Sequence, residues 1–200
     1  MTTPVPPIPD EELLRRAFRL DNEGYLRFLE LESSDRITEF PTERGPVVVV
    51  DGKKLHSGRD PVREAMRFVR GLNIAEATRI VLYGYGSGYV ARALHKKTDA
   101  TLFVYEPCLE ALHWGITHGE VPDNVVFLTS PVAVKTVLYA QLSSGDRGQL
   151  VPWQPSVRID NVQFLEVRQE LRTRCLNFID EEEPQLAVPN TQSGYFLSIL

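Results

Sequence analysis

The chain has 200 residues, of which 42% are hydrophobic and 24% charged, and its formal net charge is −5. This composition is typical of a globular protein with one core, and the scattered basic residues argue against a nucleic-acid partner. No apolar run reaches the roughly 18 residues of a membrane-spanning helix, and no secretory signal is evident, so no membrane partner is expected. The two cysteines form no CxxC pair. We therefore expect a cytoplasmic protein of bacterial type.

The N-terminal quarter divides into a tail and a small subdomain. Residues 1–9 are rich in proline and are predicted to be a disordered tail. Residues 10–58 are predicted to form a small helical and β-hairpin subdomain, because apolar residues at helical spacing give way to strand-like runs around an Asp-Gly turn. The predicted elements are a helix from Asp10, a second helix around Tyr25–Leu31, a strand over Arg36–Phe40, and a hairpin of Val47–Val50 and Lys53–His56.

Strands and helices alternate through the remainder of the chain. Asp60 and Pro61 predict the start of a helix that reaches Gly71, since aspartate caps free amides and proline fits the first turn. The following elements are strands Ile80–Tyr83, Leu102–Tyr105, Val125–Leu128 and Leu150–Val151, with helices Tyr89–Lys97, Leu109–His118, Val132–Leu142 and Val162–Ile179. Such alternation predicts a parallel sheet flanked by helices, so residues 59–180 are interpreted as a Rossmann-like, methyltransferase-like α/β domain. Residues 181–200 end in an apolar run and are interpreted as a linker toward a missing C-terminal region.

A glycine-rich loop follows the first predicted parallel strand, and an acid closes the next one. Gly84, Gly86 and Gly88 allow the backbone to approach a ligand closely, and the following helix offers free amides. A carboxylate such as Glu106 at the end of the second strand commonly accepts hydrogen bonds from ribose hydroxyls. These four residues are the predicted cofactor-binding site. The cofactor is unknown from the sequence, and S-adenosylmethionine and a nucleotide are the two candidates.

Other interpretations of this loop stay open. Tyr89 stands where the dinucleotide fingerprint has its third glycine, and Leu82 stands where methyltransferase loops carry an acid. An S-adenosylmethionine-dependent methyltransferase and a non-catalytic interaction scaffold are both alternatives. No catalytic residue and no metal ligand is assigned, and Cys108 is predicted to be a buried structural residue. Arg59 and Arg63 are interpreted as solvated or salt-bridged, with contact to an anionic group as the alternative.

Three segments together resemble a known family. They are DGKKLHSGRDPVREA from Asp51, RIVLYGYGSGYVARAL from Arg79 and LFVYEPCLEAL from Leu102. In order and spacing they resemble the N-terminal part of the motility accessory factor (Maf) proteins, bacterial proteins implicated in flagellin glycosylation. The resemblance covers about residues 47–112 well and is looser to about 180.

The resemblance implies a function for this region. It implies an N-terminal accessory or recognition domain of a protein that transfers a nonulosonic acid, such as pseudaminic acid, from its CMP-activated form to flagellin. The family's catalytic domain carries a glycine-rich signature of its own, which is not found after residue 151. The chain itself is therefore expected not to be catalytic, although the full-length protein would be a glycosyltransferase. Flagellin or a nucleotide-sugar is the implied partner, and no established ligand carries over to the loop.

Overall fold

The computed structural model describes residues 10–32, 34–142 and 146–174. The N-terminal part contains two short helices, a three-stranded antiparallel sheet in the order β1-β2-β3, and a longer helix. Their bounds are α1 Glu11–Ala17, α2 Asn22–Leu29, β1 Ile37–Phe40, β2 Val47–Val50, β3 Lys53–Lys54 and α3 Pro61–Gly71. The predicted subdomain elements are thus present. The predicted 1–9 tail and 181–200 linker lie outside the described residues.

A four-stranded parallel sheet forms the centre of the fold, in the order β6-β5-β4-β7. Its elements are β4 Arg79–Tyr83, α4 Tyr89–His95, β5 Thr101–Tyr105, α5 Leu109–Thr117, β6 Val125–Leu128, α6 Pro131–Gln141, β7 Gly148–Pro152, α7 Gln154–Val157 and α8 Asn161–Arg174. The chain therefore has the predicted Rossmann-like α/β fold. Within the described residues no helix combines the length and the apolar character needed to cross a membrane.

Alternation of side chains along the parallel strands builds a core on each face of the sheet. On one face Ile80 and Leu82 of β4 pack with residues of α1 to α5. On the other face Val81 and Tyr83 pack with residues of α6, α7 and α8. Both faces are covered, as a parallel sheet requires. In sheets of this type ligands bind at the edge where the strands end.

Local capping explains where α3 begins and ends. Asp60 accepts a hydrogen bond from the Arg63 amide at 2.8 Å, and Pro61 occupies the first turn, as predicted. At the other end, the Lys97 ammonium donates to the carbonyls of Val69 and Leu72 at 2.9 and 2.6 Å. Lys97 follows α4, so these bonds fix the end of α3 to the end of α4.

Three sequence predictions need correction. The hairpin strand predicted over Lys53–His56 ends at Lys54. The Leu55 amide still donates to the Val48 carbonyl at 3.1 Å, but the buried Leu55 and His56 lie beyond the paired residues. The Asp51-Gly52 turn has the predicted primed geometry, with φ of 47° and 77°. The fourth parallel strand spans Gly148–Pro152, longer than the predicted Leu150–Val151, and α7 was not predicted. The predicted end of the last helix at Ile179 lies outside the described residues.

Candidate functional site

The glycine-rich loop joins β4 to α4 at the carboxyl edge of the sheet. Gly84, Gly86 and Gly88 have φ values of 101°, 53° and 74°, a region that other residues rarely adopt. The backbone of the loop therefore requires glycine at these positions. β4 and β5 are adjacent parallel strands with Tyr83 opposite Tyr105, so Glu106 lies beside the loop as the sequence predicted.

Glu106 binds the loop itself. Its Oε2 atom accepts hydrogen bonds from the amides of Tyr85 and Gly86 at 2.8 and 3.0 Å. The same oxygen is 3.3 Å from the Ser156 hydroxyl, which donates to it, and Oε1 accepts from the Cys108 amide at 3.2 Å. Glu106 is only 1% exposed. A carboxylate of the chain thus occupies the position where the amides of such a loop receive an anion.

Two opposing effects act on the ionisation of Glu106. Burial raises the pKa of its carboxyl group, while the hydrogen bonds from Gly86, Tyr85, Cys108 and Ser156 oppose that rise. The pKa of Glu106 is raised overall, because burial of the carboxylate away from water is the larger of the two effects. The hydrogen bonds from these amides therefore stabilise the Glu106 carboxylate, whose burial would otherwise be costly.

The N-terminal part of the chain covers the other side of the loop. The Ser87 hydroxyl accepts a hydrogen bond from the Val48 amide of β2 at 2.9 Å, and the Tyr89 hydroxyl donates to the Pro46 carbonyl at 3.0 Å. A Cβ on Gly86 would lie 2.9 Å from Nε2 of His56. Every residue from 80 to 91 is buried.

The crevice between β4 and β7 is also filled. Parallel sheets of this order bind ligands where the strand order reverses, which here is between these two strands. Trp153 follows β7 and occupies that position: its amide donates to the Tyr83 carbonyl at 2.8 Å and its indole to the Leu55 carbonyl at 2.7 Å. A Cβ on Gly84 would overlap Ser156 of α7.

No protein-family model, curated protein or solved structure matches this chain. The structure brings together all four predicted cofactor residues: Gly84, Gly86, Gly88 and Glu106. Their binding of S-adenosylmethionine or a nucleotide stays a prediction. No sequence motif marks three further neighbours of the loop, which are His56, Trp153 and Ser156.

Cys108 is buried among other residues of the protein. Cys108 is 3% exposed, and burial raises the pKa of its thiol to about 12, in agreement with the predicted structural role. Its Sγ lies 3.3 Å from Oε2 of Glu110. Across the described ranges no group of three or more histidine, cysteine or acidic side chains is arranged to hold a metal ion.

His56 is buried against the loop. Its ring stacks on Trp153 at 5.0 Å between centroids, and neither ring nitrogen has a hydrogen-bond partner. Nδ1 lies 3.7 Å from the Glu64 carboxylate, too far for a hydrogen bond. Burial lowers the pKa of His56, and the nearby Glu64 only partly opposes this.

Acidification is therefore expected to destabilise the protein through His56. Below its ordinary pKa of about 6.5 the unfolded chain binds a proton that the folded chain resists, so the free energy of unfolding falls as pH falls. Between pH 7 and pH 5 this contributes up to about 2 kcal/mol. Urea denaturation at both pH values should show a smaller pH dependence in His56→Phe, which keeps an aromatic ring beside Trp153.

Comparison of wild type with His56→Phe cancels the contributions of other titratable groups to the pH dependence of stability. Burial also lowers the pKa of His113, and the raised pKa of Glu106 acts in the opposite direction, but both are present in each protein. An equal loss of stability on acidification in wild type and His56→Phe would show that His56 does not titrate in this way.

Proposed function

We propose that this chain is a Rossmann-like recognition domain without chemistry of its own, in which the glycine-rich loop has a structural role. The observation that carries the proposal is the hydrogen bonding of Glu106 to the amides of Tyr85 and Gly86. These amides are the donors that a cofactor would use. The Glu106 carboxylate occupies these amides, and His56 lies over Gly86, so the chain's own residues close the loop.

The Maf resemblance gives this recognition domain a context. Its three segments come from distant parts of the sequence and meet at one place: Leu55 and His56 face Gly86, and Glu106 binds the amides beside it. Their convergence supports treating them as one functional unit. We therefore include in the proposal that the chain is the N-terminal accessory domain of a Maf-like protein linked to flagellin glycosylation, with flagellin or a nucleotide-sugar as partner.

The methyltransferase alternative has less support. Leu82, at the position where such loops carry an acid, is fully buried within the sheet. Glu106, the residue that would accept hydrogen bonds from a ribose, already accepts three from amides and one from a hydroxyl. A bound nucleoside would have to displace these bonds as well as the side chain of His56.

Calorimetric titration with S-adenosylmethionine, S-adenosylhomocysteine and adenosine tests the closed loop. We expect no saturable heat with any of them up to about 1 mM, which corresponds to binding weaker than about −4 kcal/mol. Saturable binding of any of the three would instead show that the loop opens to a nucleoside, and it would overturn the structural role of the loop.

The link to glycosylation is tested by the companion measurement on flagellin. In a strain that lacks the gene, the intact mass of flagellin should fall by the mass of its sugars, and a plasmid copy should restore it. Unchanged flagellin mass in the deletion strain would remove flagellin glycosylation from the proposal and leave the closed loop untouched.

A further inference from the structure

A cleft of about 700 Å³ lies beside the filled crevice, between α3 and α7. Arg63 and Arg67 stand one helical turn apart on α3, Arg59 precedes the helix, and Arg158 follows α7. All four arginines line the cleft, together with Phe68 and Trp153. Volumes of this size hold small organic ligands.

The arginines of this cleft outnumber its two acids and form no ion pair with them. Within the described residues none of the four guanidinium groups forms a hydrogen bond, an ion pair or a cation–π contact. The two acids of the cleft bind backbone amides instead. Asp60 accepts a hydrogen bond from the backbone amide of Arg63 at 2.8 Å, and Glu64 accepts one from the backbone amide of Ser57 at 2.7 Å. The lining keeps an excess of positive charge in a chain whose net charge is −5.

The positive surface extends around α3. A second groove shares Arg63 and Arg67 with the cleft and adds Arg44 and Arg70. Like charges that line one groove repel one another, and a bound anion relieves that repulsion. Guanidinium groups are planar forks that donate two parallel hydrogen bonds to phosphate oxygens. Arginines on one face of a helix are therefore well suited to a phosphate group.

The inner wall of the cleft is aromatic. Phe68 packs edge-on against Trp153 with 5.1 Å between ring centroids, and Trp153 is held by its bond to the Leu55 carbonyl. A fixed apolar wall beside a cluster of cations suits a ligand that carries both an organic part and a charged group.

We propose that this cleft binds an organic phosphate, either a nucleotide or a sugar phosphate. Arg63 and Arg67 hold the phosphate group, Arg59 and Arg158 complete its charge neutralisation, and the organic part lies toward Phe68 and Trp153. The site is separate from the glycine-rich loop and does not depend on the function proposed above.

Calorimetry at low salt with CMP, glucose 1-phosphate and inorganic phosphate tests this site. We expect CMP, glucose 1-phosphate or both to bind. Whichever of them binds should bind more tightly than inorganic phosphate. Arg63→Ala with Arg67→Ala should weaken that binding by about tenfold or more for each arginine removed. The matched control, Arg16→Ala with Arg27→Ala, removes two exposed arginines outside the cleft and should leave binding unchanged.

The results also separate the sources of the ligand. Tighter binding of CMP identifies a nucleotide site, and tighter binding of glucose 1-phosphate a sugar-phosphate site. Absence of binding at several millimolar, equal losses in both double variants, or binding of inorganic phosphate as tight as the organic probes would overturn the proposal. Binding of an oligoglutamate peptide without either organic phosphate would also overturn it. S-adenosylmethionine, S-adenosylhomocysteine and adenosine carry no phosphate, so the two tests can fail independently.

Discussion

Glu106→Ala is expected to lower the free energy of unfolding by about 3 kcal/mol or more. The substitution removes the acceptor of three buried amides, those of Tyr85, Gly86 and Cys108, and leaves them without a partner. An unsatisfied buried donor costs about 1–3 kcal/mol, and the lost side chain adds a small cavity. Urea denaturation at pH 7, followed by circular dichroism, measures the change.

Glu106→Gln should lie between the alanine variant and wild type. The glutamine oxygen can take the place of Oε2 and accept from Tyr85, Gly86 and Ser156. Its amide nitrogen then faces the Cys108 amide, which is also a donor, so about 1–3 kcal/mol is lost there. Partial rescue by glutamine is what a role in hydrogen bonding predicts.

An exposed glutamate provides the control for the Glu106 series. Glu12→Gln on α1 removes the same charge without disturbing a buried network and should change stability by no more than about 0.5 kcal/mol. If Glu106→Ala unfolds at the same urea concentration as wild type, the carboxylate does not hold the loop, and a ligand-binding role becomes the better explanation of its position.

The parallel sheet and the loop were predictable because their signals are local. Val125–Leu128 is a continuous apolar run, and the strand has those bounds. Three glycines in five residues between a strand and a helix indicated backbone that needs positive φ, and Gly84, Gly86 and Gly88 have it. Asp60 and Pro61 likewise marked the start of α3 by chemistry that acts within one turn.

The closure of the loop was not predictable because it depends on distant residues. Ser156, which donates to Glu106, is 50 residues away from it in the sequence, and Val48, which donates to Ser87, is 39 residues away. α7 has four residues, too few to show a helical period, so the element that carries Ser156 gave no signal. Sequence patterns placed Glu106 beside the loop amides, but only tertiary contacts determine that it binds them.

The predicted hairpin is present, but its second strand ends at Lys54 and not at His56, for a related reason. The residues of Lys53–His56 alternate only loosely between polar and apolar. The predicted strand was extended past Lys54 because Leu55 has a large apolar side chain. In the structure Leu55 is fully buried against residues of β2 and α5, and His56 turns toward Gly86. Strand pairing ends after Lys54, apart from the bond of the Leu55 amide to the Val48 carbonyl, and tertiary contacts bury the next two side chains.

Gly115→Ala is expected to destabilise the protein by about 3 kcal/mol, at the upper end of overpacking effects. Gly115 lies inside α5, and a Cβ there would overlap the carbonyl oxygen of Gly86 and lie 3.0 Å from two ring carbons of Tyr85. The amide of Gly86 is bound by Glu106, so a shift of the Gly86 backbone away from the new Cβ would strain that hydrogen bond. This cost exceeds the roughly 1 kcal/mol that alanine gains over glycine in a helix.

The matched substitution is Gly71→Ala at the end of α3. A Cβ on Gly71 would meet no atom within 4 Å, so alanine there should be neutral or should stabilise the protein by up to about 1 kcal/mol. Opposite signs for the same chemical change, measured by urea denaturation, would show that α5 must approach the loop closely. A Gly115→Ala protein as stable as wild type would mean that the loop can yield, and the closed loop on which the proposed function rests would then have to be reconsidered.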